Sequence, residues 1–240
     1  MNGNKFKILI GIGITCIASA ISSQITSAQA QSTANTLNPS LPAIVAQKND
    51  ENPSKPAFQN KLDGSGLVNA LQGGGYVIYI RHGQTEKAAD DKVTAKIGDC
   101  STQRILSEQG WQQAKEIGKA FQDLKIPVDR VYSSDYCRAW QTADLAFDRY
   151  EKNSNLNFLP VEKYNDQQKR QIRERVMPLL SAAPSKGSNT VIVGHGDVFK
   201  AAMGVDLTQG AAYILKPNAT GSVEIVANLR AEDWSKLSNR

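Results

Sequence analysis

The sequence predicts an α/β fold, a three-layer α/β/α sandwich around a mostly parallel sheet, and three observations predict it. Continuous apolar runs rich in β-branched and aromatic residues at 76–80 and 190–193 suit strands covered on both faces, and 128–133 reads as a further strand. Helical patterns alternate with them, the order that builds a parallel sheet between helical layers. Each run then passes directly into a short polar segment: Arg81-His82-Gly83-Gln84-Thr85, Ser133-Ser134-Asp135, and Gly194-His195-Gly196-Asp197.

The chain has 240 residues, 40% of them hydrophobic and 21% charged, enough apolar material for one sizeable core. Its net charge of +5 is dispersed and accompanies no nucleic-acid-reading motif. Three cysteines exclude a disulfide-dense miniprotein and a four-cysteine zinc ribbon. The two histidines, His82 and His195, must carry any imidazole chemistry.

Lys5 and Lys7 precede an uncharged apolar stretch, 8–21, and a polar run ending Ala28-Gln29-Ala30. Small residues at those positions fit signal peptidase, so 1–30 reads as a signal peptide cleaved after Ala30. The stretch falls short of the ~20 residues that span a bilayer, and the mature chain is expected to be exported, periplasmic or secreted, without a membrane span. Cleavage removes Cys16 and leaves Cys100 and Cys137. In an oxidising compartment these invite a disulfide, with two free thiols as the alternative. Residues 31–62, rich in Gln, Ser, Asn, Pro and Lys, read as a disordered linker, or as an extended arm anchored by Leu41, Ile44 and Val45. The folded domain is expected over 63–240.

Within it, 67–71 reads as a short helix ended by Gly73-Gly74-Gly75, and 84–105 as a long loop beside the first strand. Ser107 caps a helix running to about 124, with Trp111, Ala114, Ile117, Gly118, Phe121 and Leu124 on one face, which makes Trp111 a core residue. A helix follows at 135–147, which Ser133 could cap, then a short strand near 157–160. A helix starting at Asn165 or Asp166 carries Lys169, Arg170, Arg173 and Arg175 on a solvated face and is kinked or ended by Pro178. A helix at 199–203, a hairpin of 212–215 and 222–227, and a helix at 231–237 complete the chain.

Ligands of open α/β sheets bind at the carboxyl ends of the strands. Parallel strands put all three polar segments on one rim, where Arg81, His82, Arg138 and His195 converge. Two guanidiniums and two imidazoles suit a phosphoryl dianion: arginine grips its oxygens bidentately, and a neutral imidazole can attack phosphorus. Neighbouring arginines disfavour the imidazolium. Neither HExxH nor a His/Cys cluster is present, so neither metal nor other cofactor is expected. Thr85 and Gln84 could touch substrate or shape the loop.

Four blocks, RHGQT at 81–85, LSEQGWQQA at 106–114, VYSSDYCRAWQTA at 131–143 and VIVGHGD at 191–197, resemble the histidine phosphatase, or phosphoglycerate mutase-like, superfamily. The resemblance implies a phosphohistidine on His82 and a phosphate pocket completed by Arg81, Arg138 and His195. The general acid is expected to be Asp197, two residues after His195, with Glu162 the alternative. The short segment between Thr142 and His195, together with export, favours a hydrolase over a mutase. A small phosphorylated substrate, such as a cell-envelope sugar phosphate, is expected. DCSTQR at 99–104 is similar to small bacterial members, and in that picture Cys100–Cys137 ties the 84–105 loop to the Arg138 helix. The alternatives are a protein phosphohistidine phosphatase and a non-catalytic binder of phosphate ligands.

Overall fold

The computed structural model describes residues 58–86, 95–161 and 163–238. The expected signal peptide, most of the linker, part of the 84–105 loop and Glu162 lie outside them. Six strands form one sheet in the order β3-β2-β4-β1-β5-β6. They are β1 (Val77–Arg81), β2 (Val128–Ser133), β3 (Glu151–Lys152), β4 (Asn189–Gly194), β5 (Ala212–Pro217) and β6 (Val223–Leu229). The first four run parallel, and β5 and β6 are the expected antiparallel hairpin.

Side chains alternate across the sheet, so each strand feeds two cores. Ile78 and Ile80 of β1 face α1 (Gly64–Gly73), α2 (Glu108–Asp123), α3 (Cys137–Phe147) and α6 (Trp234–Ser238). Val77 and Tyr79 face α4 (Asp166–Ser181) and α5 (Gly196–Met203) on the other side. These are the three layers the alternation predicts.

The caps follow the sequence. Ser107 Oγ accepts the Gly110 N–H at 3.2 Å, and Asn165 and Gln168 form a reciprocal capping box at the start of α4. Four local readings are corrected. Ser133 caps nothing: Tyr136 is the N-cap of α3, and Ser133 Oγ donates to the Ser134 carbonyl. Trp111 lies at the edge of the apolar stripe in the first turn of α2 and is 40% exposed. Residues 157–160 form no strand; the edge strand is β3, while Asn157 and Phe158 turn into the site. Pro178 lies inside α4, which continues to Ser181; so near the end, the lost hydrogen bond does not stop the helix. The basic face of α4 is solvated at Lys169, Arg170 and Arg173, which are exposed, while Arg175 is half-buried; Arg173 also donates to the Ala202 carbonyl and Arg175 to that of Asn157.

Residues 58–62, at the end of the expected linker, lie along β6. Lys61 N–H donates to the Val226 carbonyl at 2.9 Å, Asn60 and Asn228 exchange hydrogen bonds, and Phe58 packs edge-on to Tyr213. This covers part of an otherwise open sheet edge.

Candidate active site

Strand register assembles the site. Arg81 of β1 pairs with Gly194 of β4, and Val193 of β4 with Ser133 of β2, so the three strands end level. The next residues on the rim are therefore His82, His195 and Ser134. The ladder extends one step into them: His82 N–H donates to the Gly194 carbonyl at 3.0 Å and Ser134 N–H to that of Val193 at 3.1 Å. The imidazole centroids come to rest 5.4 Å apart. Both rings are buried, each 2% exposed.

Secondary contacts fix each ring. His82 Nδ1 lies 2.8 Å from the Gly83 carbonyl, which can only accept, so Nδ1 carries the proton. Nε2 is left with its lone pair, which accepts from Arg138 Nε at 3.2 Å. The Gly83 N–H donates to Thr142 Oγ1, which donates in turn to the Arg138 carbonyl, binding this turn to α3. A Cβ on Gly83 would stand 2.5 Å from the Gly110 carbonyl oxygen, so α2 reaches its place only because that residue is glycine. The backbone of His195 is clasped by Tyr79, whose hydroxyl accepts its N–H and donates to its carbonyl, both at 3.1 Å.

The His195 ring belongs to a polar chain. Asn157 Nδ2 donates to Asp135, so its Oδ1 faces Ser134 and accepts that hydroxyl at 2.8 Å. Ser134 Oγ then accepts from His195 Nε2 at 2.9 Å. Phe158 and Tyr136 close around this ring, with Phe158 at 4.9 Å, and the Arg138 guanidinium lies over both aromatic faces.

A cavity of about 360 Å³ opens over the rings. Arg81, Arg138, His82, His195 and Asp197 all line it, so five of the predicted site residues converge. Thr85 does not: it is buried, pairs with Leu106 across a β-bridge, and accepts from Gln209 at 3.0 Å. Two cationic contributors escaped sequence reasoning. Arg104 supplies a third guanidinium and Lys200 an ammonium. Arg104 sits in an irregular loop with no periodic signal, although the DCSTQR block ends on it. Gln103 positions that loop by accepting the Cys137 N–H at 2.8 Å. The Cys100 and Cys137 sulfurs are 2.08 Å apart, joining the same loop to the start of α3.

This concentration of positive charge acts on the imidazoles. Burial first, then the charge of Arg138, hold both His82 and His195 well below the usual 6.5. Both rings are therefore neutral near pH 7. Arg81 donates to the Leu207 carbonyl at 2.8 Å, while its buried Nε has no protein partner among the described residues. Arg81, Arg104, Arg138 and Lys200 together line the cavity, a concentration of positive charge that suits an anion. Asp197, in the first turn of α5, accepts the Tyr164 hydroxyl at 2.6 Å on Oδ2, which leaves Oδ1 for other work. Burial and this carboxylate push the Tyr164 phenol well up, so it stays a donor. Among the described residues, no group of three or more His, Cys, Asp or Glu is placed to hold a metal, and no helix is long and apolar enough to cross a membrane.

Residues 77–158 match the family model of the histidine phosphatase superfamily (branch 1). The mitochondrial serine/threonine-protein phosphatase Pgam5 of Drosophila willistoni is 27% identical over 177 residues, covering 64% of this chain and 56% of that protein. Its counterpart in Drosophila persimilis is 29% identical over 148 residues, 52% of this chain and 48% of that protein. The chain thus spans about half the length of the curated relatives it matches. Among solved structures, a phosphoserine phosphatase from Entamoeba histolytica aligns with a TM-score of 0.47 at 17% identity, over 65% of this chain and 96% of that one.

Proposed function

The chain belongs to the histidine phosphatase superfamily, and from that premise we propose that it hydrolyses phosphomonoesters through a phosphohistidine on His82. One observation carries the reading: a neutral imidazole, its Nδ1 proton tied to a carbonyl, presents Nε2 to a cavity lined by three guanidiniums. Arg81, Arg104 and Arg138 hold the phosphoryl oxygens and spread the charge of the transition state. His82 Nε2 attacks phosphorus, the bond to the ester oxygen breaks, and Asp197 gives that oxygen its proton. Water then attacks the phosphohistidine, Asp197 takes a proton back, and inorganic phosphate leaves with His82 neutral again. Tyr164 keeps the Asp197 carboxyl turned to its task.

We infer separately, from the apolar stretch 8–21 and Ala28-Gln29-Ala30, that the mature protein lies outside the cytosol after cleavage following Ala30, where the adjoining Cys100 and Cys137 sulfurs form a disulfide. Envelope sugar phosphates head the substrate panel. Phosphoserine and phosphothreonine peptides stand beside them, because the curated relatives carry the name serine/threonine-protein phosphatase.

Rapid quenching with ³²P-labelled p-nitrophenyl phosphate tests the mechanism. Wild type should retain acid-labile, base-stable label, and His82→Ala should retain none and lose at least ~10³-fold in turnover. Asp197→Asn should slow alkyl phosphates far more than p-nitrophenyl phosphate, whose leaving group needs little protonation. Label that survives His82→Ala would refute the assignment.

A further inference from the structure

A second hollow adjoins the catalytic cavity. It measures about 520 Å³ against about 360 Å³ for the cavity itself, and Asp197 and Lys200 line both. That size is ordinary for a small-molecule site. Its remaining surface comes from separate elements. Lys163 and Tyr164 precede α4, Lys169 lies in the first turn of α4, and Ala201 belongs to α5.

In-line displacement decides which part of a substrate would reach it. A phosphoryl group among the guanidiniums, attacked by His82, carries its departing oxygen on the side of phosphorus away from that ring. The residue proposed to protonate this oxygen, Asp197, stands where the two hollows meet. The leaving alcohol therefore extends past Asp197 into the second hollow.

The chemistry of that hollow is uneven. The Tyr164 ring and Ala201 offer apolar surface, and three lysines line it: Lys163, Lys169 and Lys200. Lys163 makes no ion pair among the described residues. Lys169 holds Asp166 at 3.0 Å and Lys200 holds Asp206 at 2.7 Å, in pairs whose carboxylates are 85% and 81% exposed. Ion pairs this open to water are weak and exchange readily for another anion. Among the described residues that line the hollow, the one carboxylate is Asp197, which Tyr164 engages.

We propose that this hollow is the leaving-group subsite and that it selects phosphomonoesters whose alcohol carries a second anionic group, a carboxylate or a further phosphate. The inference rests on the hydrolase reading above, since it takes its direction from the phosphoryl site.

Calorimetry with non-hydrolysable ligands tests it without turnover. An ω-carboxyalkyl phosphonate and its neutral carboxamide, four to six carbons long, differ only in the distal charge. An ω-phosphoryl phosphonate of the same length separates a second phosphate from a carboxylate. Full-length wild type should bind the charged ligands about tenfold more tightly than the amide. In Lys163→Ala/Lys169→Ala that ratio should fall close to one, while the affinity for the amide, which reports an intact fold and phosphoryl site, is kept. A wild-type ratio near one, or a ratio the double substitution leaves unchanged, overturns the subsite. Failure of inorganic phosphate and the amide to bind wild type condemns the phosphoryl site and the subsite with it. Their retention without charge preference condemns the subsite alone.

Discussion

The floor of the cavity and its outer wall are built on different terms. The floor consists of His82 and His195 on level strand ends and Arg138 in the first turn of α3, all at most 4% exposed. Each is fixed by backbone pairing or by a buried hydrogen bond. The wall consists of Arg104 from a loop and Asp197 and Lys200 from the outer side of α5, the last two exposed. Groups that must be desolvated to stay neutral or to hold charge strongly sit where the sheet leaves no freedom. Groups that meet the variable part of a substrate sit where side chains can move.

The largest effect expected from that contrast is a gap between two arginines. Arg138 donates to His82 and stacks on Phe158, so Arg138→Ala removes a preorganised contact to the transition state and should lower kcat/KM by about 10³-fold. Arg104→Ala removes a loop-borne charge and should cost about tenfold, mostly in KM. Steady-state kinetics on one aryl phosphate measures both. Equal losses would show that floor and wall are a single unit.

The floor also makes stability depend on pH. The folded pKa of His82 and of His195 lies well below 6.5, so below pH 6.5 the unfolded chain takes up protons that the folded chain refuses. Unfolding free energy should therefore be flat above about pH 7. It should fall toward acid, by as much as about 1.4 kcal/mol per pH unit for each ring, until the folded pKa values are reached. Urea titrations between pH 7.5 and 5 measure this. Double substitution of both histidines by glutamine should flatten that window. An unchanged slope would assign it to other groups.

The same division explains what could be read in the sequence. A continuous β-branched run followed by Arg-His-Gly or Gly-His-Gly is a local signal, and level strand ends follow once the sheet is parallel, so Arg81, His82 and His195 were legible. Arg138 was legible through its block and its place after the second strand. Arg104 was not, because nothing in an irregular loop announces that a β-bridge from Thr85 to Leu106 folds it back over the rim. Tyr164 was equally hidden: its bond to Asp197 links the stretch before α4 to the first turn of α5, a packing no short pattern encodes. Asn157 and Phe158 fall in a stretch, 157–160, that reads as a short strand, yet their side chains serve Ser134 and the cavity instead.

The smallest effect expected lies at the seam between wall and floor. The loop that carries Arg104 also carries Cys100, whose sulfur lies 2.08 Å from that of Cys137 at the start of α3, and Arg138 is the next residue along that helix. Opening a disulfide there frees the loop but leaves α3 packed on the sheet through Ala139 and Ala143. It also leaves the Gln103 contact to the Cys137 N–H in place. Reduction should therefore raise KM for an aryl phosphate severalfold, change kcat by less than about twofold, and lower stability by roughly 3–4 kcal/mol if the crosslink acts through the unfolded chain. Kinetics and urea unfolding with and without reductant, with thiol titration confirming that the bond is open, measure both. A fall in kcat matching the rise in KM would mean that the tether also holds the floor. Unchanged KM in fully reduced protein would mean that Gln103 alone keeps Arg104 in place, and the seam would then belong to the fold and not to the site.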